Sequence, residues 1–329
     1  MFKSVGIIGT GSCLPEKIVT NYDLEKIMDT KHDWIVERTG IERRRIADPS
    51  VAASDLGTEA AKLALEDAGV NAEEIDLIIT ATLTPDMNIP STACIIQEKI
   101  GAVNSAAFDL GAACTGFLYA LSTANAFIKA GQAKKVLIVG VEILSKYINW
   151  EDRKTAVLFA DGAGAAVVSE VEEGKGVLST ALGADGTGGK FLYITAGGTR
   201  MPATYETVEK KLHSIVMDGS EVFKFAARKM ADVSLEALEK AGLTLEDINY
   251  LVPHQANIRI IQNAAKRLKV SMDKVYLNIQ DYGNISAASV PVALDEASKK
   301  GCIKQDDIVL LVGFGAGLTW GAAVIKWGK

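Results

Sequence analysis

Short runs of consecutive apolar residues recur along the chain and predict strands that are buried on both faces. Four such runs are IDLIITATL, KKVLIVGVE, INYLVP and DIVLLVGFG, which show no polar alternation. Between them the apolar positions follow a helical period, which predicts helices over residues 54–68, 114–130, 222–241 and 258–268. Gly69 and Gly242 are well placed to cap two of these helices. The pattern predicts an α/β fold of βαβ units whose sheets are covered by helices.

The two halves of the chain repeat each other. Residues 64–78 and 237–251 are identical at seven of fifteen positions at an offset of 173, which also aligns VLIVG at 136–140 with VLLVG at 309–313. GAAVV at 164–168 matches GAAVI at 321–325 at an offset of 157. Such a repeat predicts an internal duplication, with halves over residues 1–173 and 174–329. The irregular stretches 20–53 and 183–217 are expected to carry substrate recognition.

Composition narrows the function classes. The 329 residues are 48% hydrophobic and carry a net charge of −6, which argues against a nucleic-acid-binding protein. The most apolar helix, 114–130, contains several polar residues and is expected in the core rather than in a membrane. The cysteines are widely spaced, so neither a metal site nor a disulfide framework is expected, and the cytoplasm fits best. They are Cys13, Cys94, Cys114 and Cys302.

Cys114 is the strongest candidate for a reactive side chain. It stands in GAACTGF, where a turn of small residues passes directly into an apolar helix. Free N–H groups and the positive end of the helix dipole favour the thiolate, which is the nucleophilic form. The alternative is a structural cysteine, because free cysteine is among the most buried residue types.

His254, Asn284 and a glycine-rich loop complete the candidate site. His254 follows a predicted buried strand in PHQAN, where α/β proteins build their sites, although a buried structural histidine is the alternative. Asn284 lies in the turn GNISAAS and could be an ordinary turn residue. The loop GFGAGLTWG, at 313–321, can turn backbone N–H groups toward an oxyanion or can simply allow tight strand packing.

The motifs ACTGF, PHQAN, GNISAAS and GFGAGLTWG occur in the order found in a known superfamily. With WIVERTGIERRR and DGAGAAV, they make the chain resemble the thiolase superfamily and, within it, the β-ketoacyl-acyl-carrier-protein synthase III family. The resemblance runs essentially end to end. It implies a five-layer αβαβα sandwich of two βαβαβαββ halves, a homodimer, and the first condensation of fatty acid biosynthesis.

The resemblance also implies a ping-pong mechanism. The Cys114 thiolate attacks an acyl-CoA and releases CoA, and malonyl-acyl-carrier-protein then loses carbon dioxide. His254 and Asn284 hold the thioester carbonyl of the malonyl group while the enolate forms. The carbanion attacks the acyl-cysteine, whose oxyanion faces the backbone N–H groups of Cys114 and Ala316. The product is a 3-oxoacyl-acyl-carrier-protein, and no metal or redox cofactor is implied.

Further binding roles follow from the resemblance, position by position. Ile89 replaces a Phe of some members, at a position that reaches the acyl pocket from the partner subunit, which predicts a pocket open to branched or longer starters. The full acyl pocket is Ile89, Leu144 and Phe314. The CoA and pantetheine positions are Thr30, Trp34, Arg38, Arg153, Gly219, Phe223, Ala256 and Asn257. The surface for the acidic acyl carrier protein is Lys224, Arg259, Lys266 and Arg267.

Three other functions stay open from the sequence. One is a related synthase of secondary metabolism or of the 3-hydroxy-3-methylglutaryl type, which uses an acidic general base. A second is a Cys-His-Asn hydrolase, such as a thioesterase or a papain-like protease. The third is a binding homologue without catalysis. The sequence alone does not identify the preferred starter or the carrier protein.

Overall fold

The computed structural model describes residues 3–329, so residues 1 and 2 of the predicted N-terminal half lie outside the described part. The strands are β1 (Val5–Cys13), β2 (Ile18–Thr20), β3 (Arg43–Arg45), β4 (Leu77–Ala81), β5 (Ala106–Leu110), β6 (Lys135–Ile143), β7 (Asp161–Glu170), β8 (Gly176–Ala184), β9 (Leu192–Ile194), β10 (Ile215–Met217), β11 (Tyr250–Pro253), β12 (Ile308–Gly315) and β13 (Thr319–Lys326). The helices are α1 (Asn21–Leu24), α2 (His32–Thr39), α3 (Ala53–Ala68), α4 (Thr92–Ile100), α5 (Gly116–Lys129), α6 (Arg153–Ala156), α7 (Tyr205–Glu209), α8 (Gly219–Ala241), α9 (Ile258–Arg267), α10 (Ile279–Tyr282) and α11 (Ser289–Lys299).

Two mixed sheets form the frame of the molecule. The first has the order β1-β7-β6-β4-β5 and the second the order β11-β12-β13-β8. In the first sheet β4 runs parallel to β5 and β6, whereas β7 runs antiparallel to β6 and β1. In the second, β11 runs parallel to β12, and β13 runs antiparallel to β12 and β8. The predicted alternation of strands and helices is therefore confirmed.

Three apolar clusters separate five layers. Helices α3 and α4 pack on the outer face of the first sheet, through residues such as Ala60 and Ile96. Helices α5 and α11 fill the space between the two sheets, where Phe117 and Leu294 are buried. Helices α8 and α9 cover the outer face of the second sheet. The expected αβαβα sandwich is thus confirmed, with burial of apolar surface as its main stabilising term.

The duplication is visible in the positions of the elements. Helices α5 and α11 begin at Gly116 and Ser289, which are 173 residues apart, and β6 and β12 begin at Lys135 and Ile308, again 173 apart. The helix C-caps after α3 and α8 are both left-handed glycines, as expected. The division between residues 173 and 174 falls between β7 and β8 and stays a proposal.

The second half departs from the first at one place. Where β5 lies in the first sheet, the described part of the second half has only an isolated parallel bridge between Leu251 and Val275. The fifth element of the predicted βαβαβαββ pattern is therefore reduced to one residue pair in this half. None of the helices in residues 3–329 combines the length and the apolar character needed to cross a bilayer.

Some predicted element boundaries were wrong. The helix expected from residue 114 begins with a 3-10 turn at Ala113–Thr115, and α5 follows it. Helix α8 begins three residues before the predicted Val222, because the Asp218 side chain accepts hydrogen bonds from the N–H groups of Ser220 and Glu221. The stretches expected to be irregular contain short elements, among them α1, α2 and the β9–β10 pair.

Glycines in the central strands let the central helices start directly against the sheets. A Cβ atom on Gly140 of β6 would clash with the carbonyl oxygen of Ala287. A Cβ on Gly164 of β7 would lie 2.7 Å from the backbone nitrogen of Val292. Packed protein interiors leave no space for such an atom. Glycine at these two positions therefore lets the start of α11 and the turn before it lie directly against the sheet.

We predict that Gly140→Ala lowers the melting temperature, because the added methyl group overpacks the contact with Ala287. Overpacking of this kind costs about 1–3 kcal/mol. Thermal unfolding followed by circular dichroism would measure it, with Gly186→Ala as the control, since nothing lies within 4 Å of a Cβ there. Equal melting temperatures for Gly140→Ala and the wild type would show that the turn can move away.

Candidate active site

Cys114 lies in a tight turn that connects β5 to α5. The turn contains Ala113 in the left-handed region, at φ 49, and continues as a 3-10 turn through Thr115. The Thr115 hydroxyl donates to the carbonyl oxygen of Ala112 at 2.6 Å, which closes the turn. The Cys114 N–H therefore stands where a helix begins and backbone N–H groups have no intrahelical acceptor. The side chain is buried, with 7% of the residue exposed.

Gly315 of β12 allows this turn to pack closely against the second sheet, and Gly313 lies beside it. A Cβ atom on Gly315 would lie 2.8 Å from the backbone nitrogen of Cys114. A Cβ on Gly313 would lie 3.7 Å from the Cys114 carbonyl oxygen and 3.5 Å from Cβ of His254. The glycine-rich loop predicted from the sequence thus brings the end of β12 against both Cys114 and His254.

His254 continues the edge of the second sheet beyond β11. Its backbone N–H donates to the Val312 carbonyl oxygen at 2.8 Å, and its ring packs edge-on against Phe314 with centroids 5.4 Å apart. Within residues 3–329 neither ring nitrogen has a hydrogen-bond partner, although the residue is 1% exposed. Burial lowers the pKa of His254 to about 3, so the imidazole is neutral and has one donor and one acceptor nitrogen.

Asn284 is oriented by its own turn. Its side-chain oxygen accepts a hydrogen bond from the N–H of Ser286 at 2.9 Å, which leaves the amide NH₂ group as a donor for a ligand. Its backbone N–H donates to the carbonyl oxygen of Leu158 at 2.9 Å. Gly283 precedes it at φ 66, and a Cβ there would lie 2.9 Å from the same Leu158 oxygen. The turn therefore requires glycine at 283 and presents the amide of Asn284 in one orientation.

Cys114 stands where two cavities meet. The first, which we call the tunnel, has a volume of about 310 Å³ and is lined by Cys114, His254 and Asn284 together with residues of α2, α8 and α9. The second, the apolar pocket, has a volume of about 250 Å³ and is lined mainly by apolar side chains, including Leu144. A polar substrate entering through the tunnel and an apolar group held in the pocket would therefore meet at the sulfur.

The protonation state of Cys114 differs from the expectation that its helix start favours thiolate. Burial raises the pKa of the Cys114 thiol to about 12, and the nearby Glu142 carboxylate raises it further, whereas the neighbouring Ser286 side chain lowers it. Desolvation is the largest of these causes, because a buried thiolate loses its hydration. The resting side chain is therefore the protonated thiol, and its proton must leave before the sulfur can attack.

Comparison with known proteins identifies the family. Residues 108–186 match the family described as 3-oxoacyl-[acyl-carrier-protein (ACP)] synthase III, and residues 238–327 match its C-terminal part. A β-ketoacyl-[acyl-carrier-protein] synthase III from Caldanaerobacter subterraneus is 62% identical over 99% of this chain and 98% of its own length. The protein of the same name from Clostridioides difficile is 59% identical over 99% of both chains. The chain belongs to the synthase III family.

Solved structures agree with this assignment. The synthase III from Thermus thermophilus is 49% identical, with a TM-score of 0.92 over 98% of this chain and 99% of that one. A priming β-ketosynthase of the R1128 polyketide pathway is 37% identical, with a TM-score of 0.93 over 99% and 97% of the two chains. The alternative of a papain-like protease is wrong, because the fold and family are those of condensing enzymes.

Most of the predicted CoA positions lie at the tunnel. Arg38 and Arg153 both place their guanidinium carbon 5.5 Å from the centre of the Trp34 ring. Thr30 is buried outside the tunnel lining, and Arg153 is held beside the mouth by a 2.8 Å bond to the Asp29 carbonyl oxygen. The predicted positions that line the tunnel are Trp34, Arg38, Gly219, Phe223, Ala256 and Asn257.

Asn257 and Lys154 both line the tunnel. The Asn257 side chain is already engaged, since its oxygen accepts from the N–H of Arg259 and its NH₂ group donates to the Arg38 carbonyl oxygen. It therefore holds the start of α9 against α2. Lys154 also lines the tunnel and is exposed, and sequence reasoning did not select it. Its position next to Arg153 in the sequence is the signal that could have found it.

The three predicted acyl-pocket residues lie in three different places. Leu144 lines the apolar pocket, Phe314 lines the tunnel beside His254, and Ile89 is 86% exposed and lines neither cavity in the single chain. Ala316, which was expected to donate a backbone N–H, lies in the wall of the apolar pocket. The single chain thus brings Leu144 and Ala316 to the pocket but not Ile89.

The predicted carrier-protein surface forms a basic patch on α8 and α9. Lys224, Lys266 and Arg267 border one shallow cleft together with Arg228, which sequence reasoning missed. Arg259 lies at the mouth of the tunnel. Since Phe223 lines the tunnel and Lys224 follows it on α8, the patch adjoins the tunnel entrance. The helical spacing of Arg228 from Lys224 is the signal that could have found it.

A buried carboxylate beside Cys114 was also missed. Glu142 is the last polar residue of β6 and is fully buried. It accepts hydrogen bonds from the hydroxyl groups of Thr84 at 2.7 Å and Ser286 at 3.1 Å. Its signal in the sequence is a single charge at the end of a buried apolar run. Among residues 3–329, no group of three or more His, Cys, Asp or Glu side chains is arranged to hold a metal ion.

The pKa of Glu142 predicts a pH-dependent stability. Burial raises this pKa from 4.5 to about 7, so the folded state binds the proton more tightly than the unfolded state. The resulting stabilisation is fully present below pH 4.5 and is lost as the pH rises through about 7. Because glutamine stays neutral, Glu142→Gln should gain stability relative to the wild type between pH 5 and pH 8, by on the order of 3 kcal/mol at most.

Chemical denaturation at the two pH values measures this difference. Glu16→Gln, at an exposed position, serves as the control and should show no pH-dependent difference from the wild type. An identical effect of Glu142→Gln at pH 5 and pH 8 would contradict the raised pKa.

Proposed function

We propose that this chain condenses an acyl-CoA starter with malonyl-acyl-carrier-protein, releasing CoA and carbon dioxide and giving a 3-oxoacyl-acyl-carrier-protein. This reaction is the first elongation step of type II fatty acid biosynthesis. Membership of the synthase III family supports it. The observation that carries it is the position of Cys114, where an apolar pocket meets a tunnel that also contains His254 and Asn284.

The first half-reaction loads the enzyme. The Cys114 sulfur attacks the thioester carbonyl of the acyl-CoA, the C–S bond to CoA breaks, and an acyl-cysteine remains. The acyl group then occupies the apolar pocket beside Leu144, which removes its apolar surface from water. CoA leaves through the tunnel, which becomes free for the malonyl group of the carrier protein.

The second half-reaction uses two neutral donors. A ring N–H of His254 and the NH₂ group of Asn284 donate to the thioester oxygen of the malonyl group, where negative charge develops as carbon dioxide leaves. The lowered pKa of His254 and the orientation of Asn284 by Ser286 support these roles. Fixed donors of this kind contribute about 3 kcal/mol each to transition-state stabilisation.

The acyl-cysteine oxyanion needs its own donors. When the carbanion attacks the acyl carbonyl carbon, the backbone N–H groups of Cys114 and Ala316 donate to the tetrahedral oxyanion. The Cys114 N–H at a helix start and the contact of Gly315 with it support this arrangement. When the tetrahedral intermediate collapses, the C–S bond to Cys114 breaks, the sulfur leaves as thiolate, and the new carbon–carbon bond is kept. Each step uses only side chains and backbone of this chain, so the proposal includes no metal or redox cofactor.

The tunnel mouth binds the nucleotide end of CoA in this proposal. Trp34 offers an aromatic face to the adenine, while Arg38, Arg153 and Lys154 supply positive charge for phosphate groups. The pantetheine arm then follows Gly219, Phe223, Ala256 and Asn257 toward the sulfur, with Thr30 supporting the wall from behind. Arg259 and the basic patch Lys224, Arg228, Lys266 and Arg267 receive the acidic acyl carrier protein.

We further propose that the enzyme is a cytoplasmic homodimer. The four cysteines are all free thiols, which suits a reducing compartment. Met87 and Ile89 expose apolar side chains on one loop of the single chain, as expected of a surface covered by a second copy. In the dimer Ile89 of the partner subunit would close the apolar pocket, and its modest size favours branched starters over acetyl.

Intact-protein mass spectrometry tests the first half-reaction. Brief incubation with acetyl-, isobutyryl- and longer acyl-CoAs should give one acyl adduct, with isobutyryl loaded ahead of acetyl in competition. Malonyl-acyl-carrier-protein should then discharge the adduct. Cys114→Ser should form no thioester adduct, whereas Cys94→Ser, at an exposed cysteine, should behave as the wild type.

The outcomes separate the parts of this proposal. A folded wild type without an adduct from any acyl-CoA would overturn the function. A strong preference for acetyl would overturn only the proposed starter. Discharge by malonyl-CoA as readily as by the loaded carrier protein would instead favour a synthase that does not depend on a carrier.

The basic patch gives a second prediction. The double variant Lys266→Glu/Arg267→Glu should slow discharge by malonyl-acyl-carrier-protein by about 10-fold at low salt, with the difference shrinking as salt screens the charges. Loading from acyl-CoA should be unchanged, because neither residue lines the tunnel. Lys62→Glu on α3, in the opposite outer layer, is the control. An equal loss of rate in loading and in discharge would contradict the assignment of this patch as the docking surface.

A further inference from the structure

The proposed mechanism leaves one buried acid without a role. Glu142 is fully buried at the end of β6, and its carboxylate accepts hydrogen bonds from the Thr84 hydroxyl, the Ser286 hydroxyl and, at 3.2 Å, the Leu83 N–H. Within residues 3–329 it makes no salt bridge, and all of these partners are neutral. A carboxylate held only by neutral donors can exist in either protonation state without breaking an ion pair.

Ser286 connects this carboxylate to the nucleophile. Its hydroxyl donates to Oε1 of Glu142 at 3.1 Å, and Ser286 and Cys114 line the same apolar pocket on two turns that are in contact. Since a hydroxyl can accept one hydrogen bond while it donates another, Ser286 can accept from the Cys114 thiol while it donates to Glu142. Ser286 is fixed in space, because it is held at φ 47 and its N–H donates to the Asn284 side chain.

The thiol needs a proton acceptor that His254 does not readily supply. The thiol is protonated in the resting site, as its raised pKa indicates. His254 is a weak base in its buried position, because burial lowers its pKa to about 3, and the second half-reaction requires it as a neutral donor. The titratable groups that face Glu142 are Cys114 and Tyr147, whose pKa is raised by burial and then by the Glu142 charge.

We propose that Glu142 is a positioning residue that acts through Ser286, accepting the Cys114 proton during acylation and returning it after condensation. This inference rests on the proposed function. As the sulfur bonds to the acyl carbon, its proton passes to the Ser286 oxygen and the Ser286 proton passes to Glu142. CoA leaves as the thiolate and takes a proton from solvent.

Glu142 then stays protonated during the second half-reaction. When the new carbon–carbon bond forms, the C–S bond to Cys114 breaks and the sulfur leaves with the bonding electrons as thiolate. The proton returns from Glu142 through Ser286 to the sulfur, which restores both groups. One solvent proton is consumed per turnover, as the loss of the malonyl carboxylate as carbon dioxide requires. A pKa of about 7 lets Glu142 both accept and return the proton near neutral pH.

Single-turnover loading from acyl-CoA, followed by quenched-flow mass spectrometry from pH 5.5 to pH 9, tests this role. The wild-type rate should rise with pH through about 7. Glu142→Gln and Ser286→Ala should each load more slowly at pH 7, by roughly 100-fold, and Glu142→Gln should lose the titration near pH 7. Glu142→Asp should recover part of the rate. A wild-type rate and pH profile in Glu142→Gln would overturn the proposal.

Alkylation of Cys114 by iodoacetamide provides a readout that needs no acyl-CoA. Glu142 carries a charge that raises the thiol pKa, so a merely electrostatic role predicts faster alkylation in Glu142→Gln. Proton acceptance predicts slower alkylation at pH 7 instead, with partial rescue by Glu142→Asp. If the wild type forms no acyl adduct, the proposed function fails, and the direction of the alkylation change still decides the role of Glu142.

Discussion

The close packing of the Cys114 turn against β12 is the contact on which the rest of the site depends. Gly315 leaves no room for a side chain between the strand and this turn, so the backbone of Cys114 lies directly on the second sheet. His254 extends from the neighbouring strand β11 and is bonded to β12 through Val312. One strand therefore sets the positions of the nucleophile and of the histidine, although they come from opposite halves of the chain.

Burial keeps the reacting side chains uncharged. Cys114 is held as a thiol and His254 as a neutral imidazole because each would lose hydration on becoming charged. The same environment makes fixed hydrogen-bond donors effective, since little water competes with them. Glu142 is the one buried acid at this place, and its three neutral donors explain how it is tolerated without a cation.

The fold was predictable because it is encoded by repeated local patterns, whereas parts of the site depend on distant contacts. Apolar runs and the offset of 173 identified the sheets and the duplication, and short motifs after strands identified Cys114, His254 and Asn284. The sequence did not reveal a role for Glu142, because its hydrogen-bond partners Thr84 and Ser286 are 58 and 144 residues away in the chain. The helix-start argument for thiolate considered the N–H groups and the dipole but not desolvation, which raises the pKa of the buried Cys114 thiol.

The matching turns of the two halves have a consequence for the history of the chain. Ala113 and Ser286 are 173 residues apart, both left-handed, and the two turns are in contact. The position equivalent to Cys114 in the second half is Ala287, so only one copy carries sulfur, while the other supplies Asn284 and Ser286. Two identical turns would have placed the same side chain on both sides of this contact. Divergence of the copies turned a symmetric pair into one site with complementary sides.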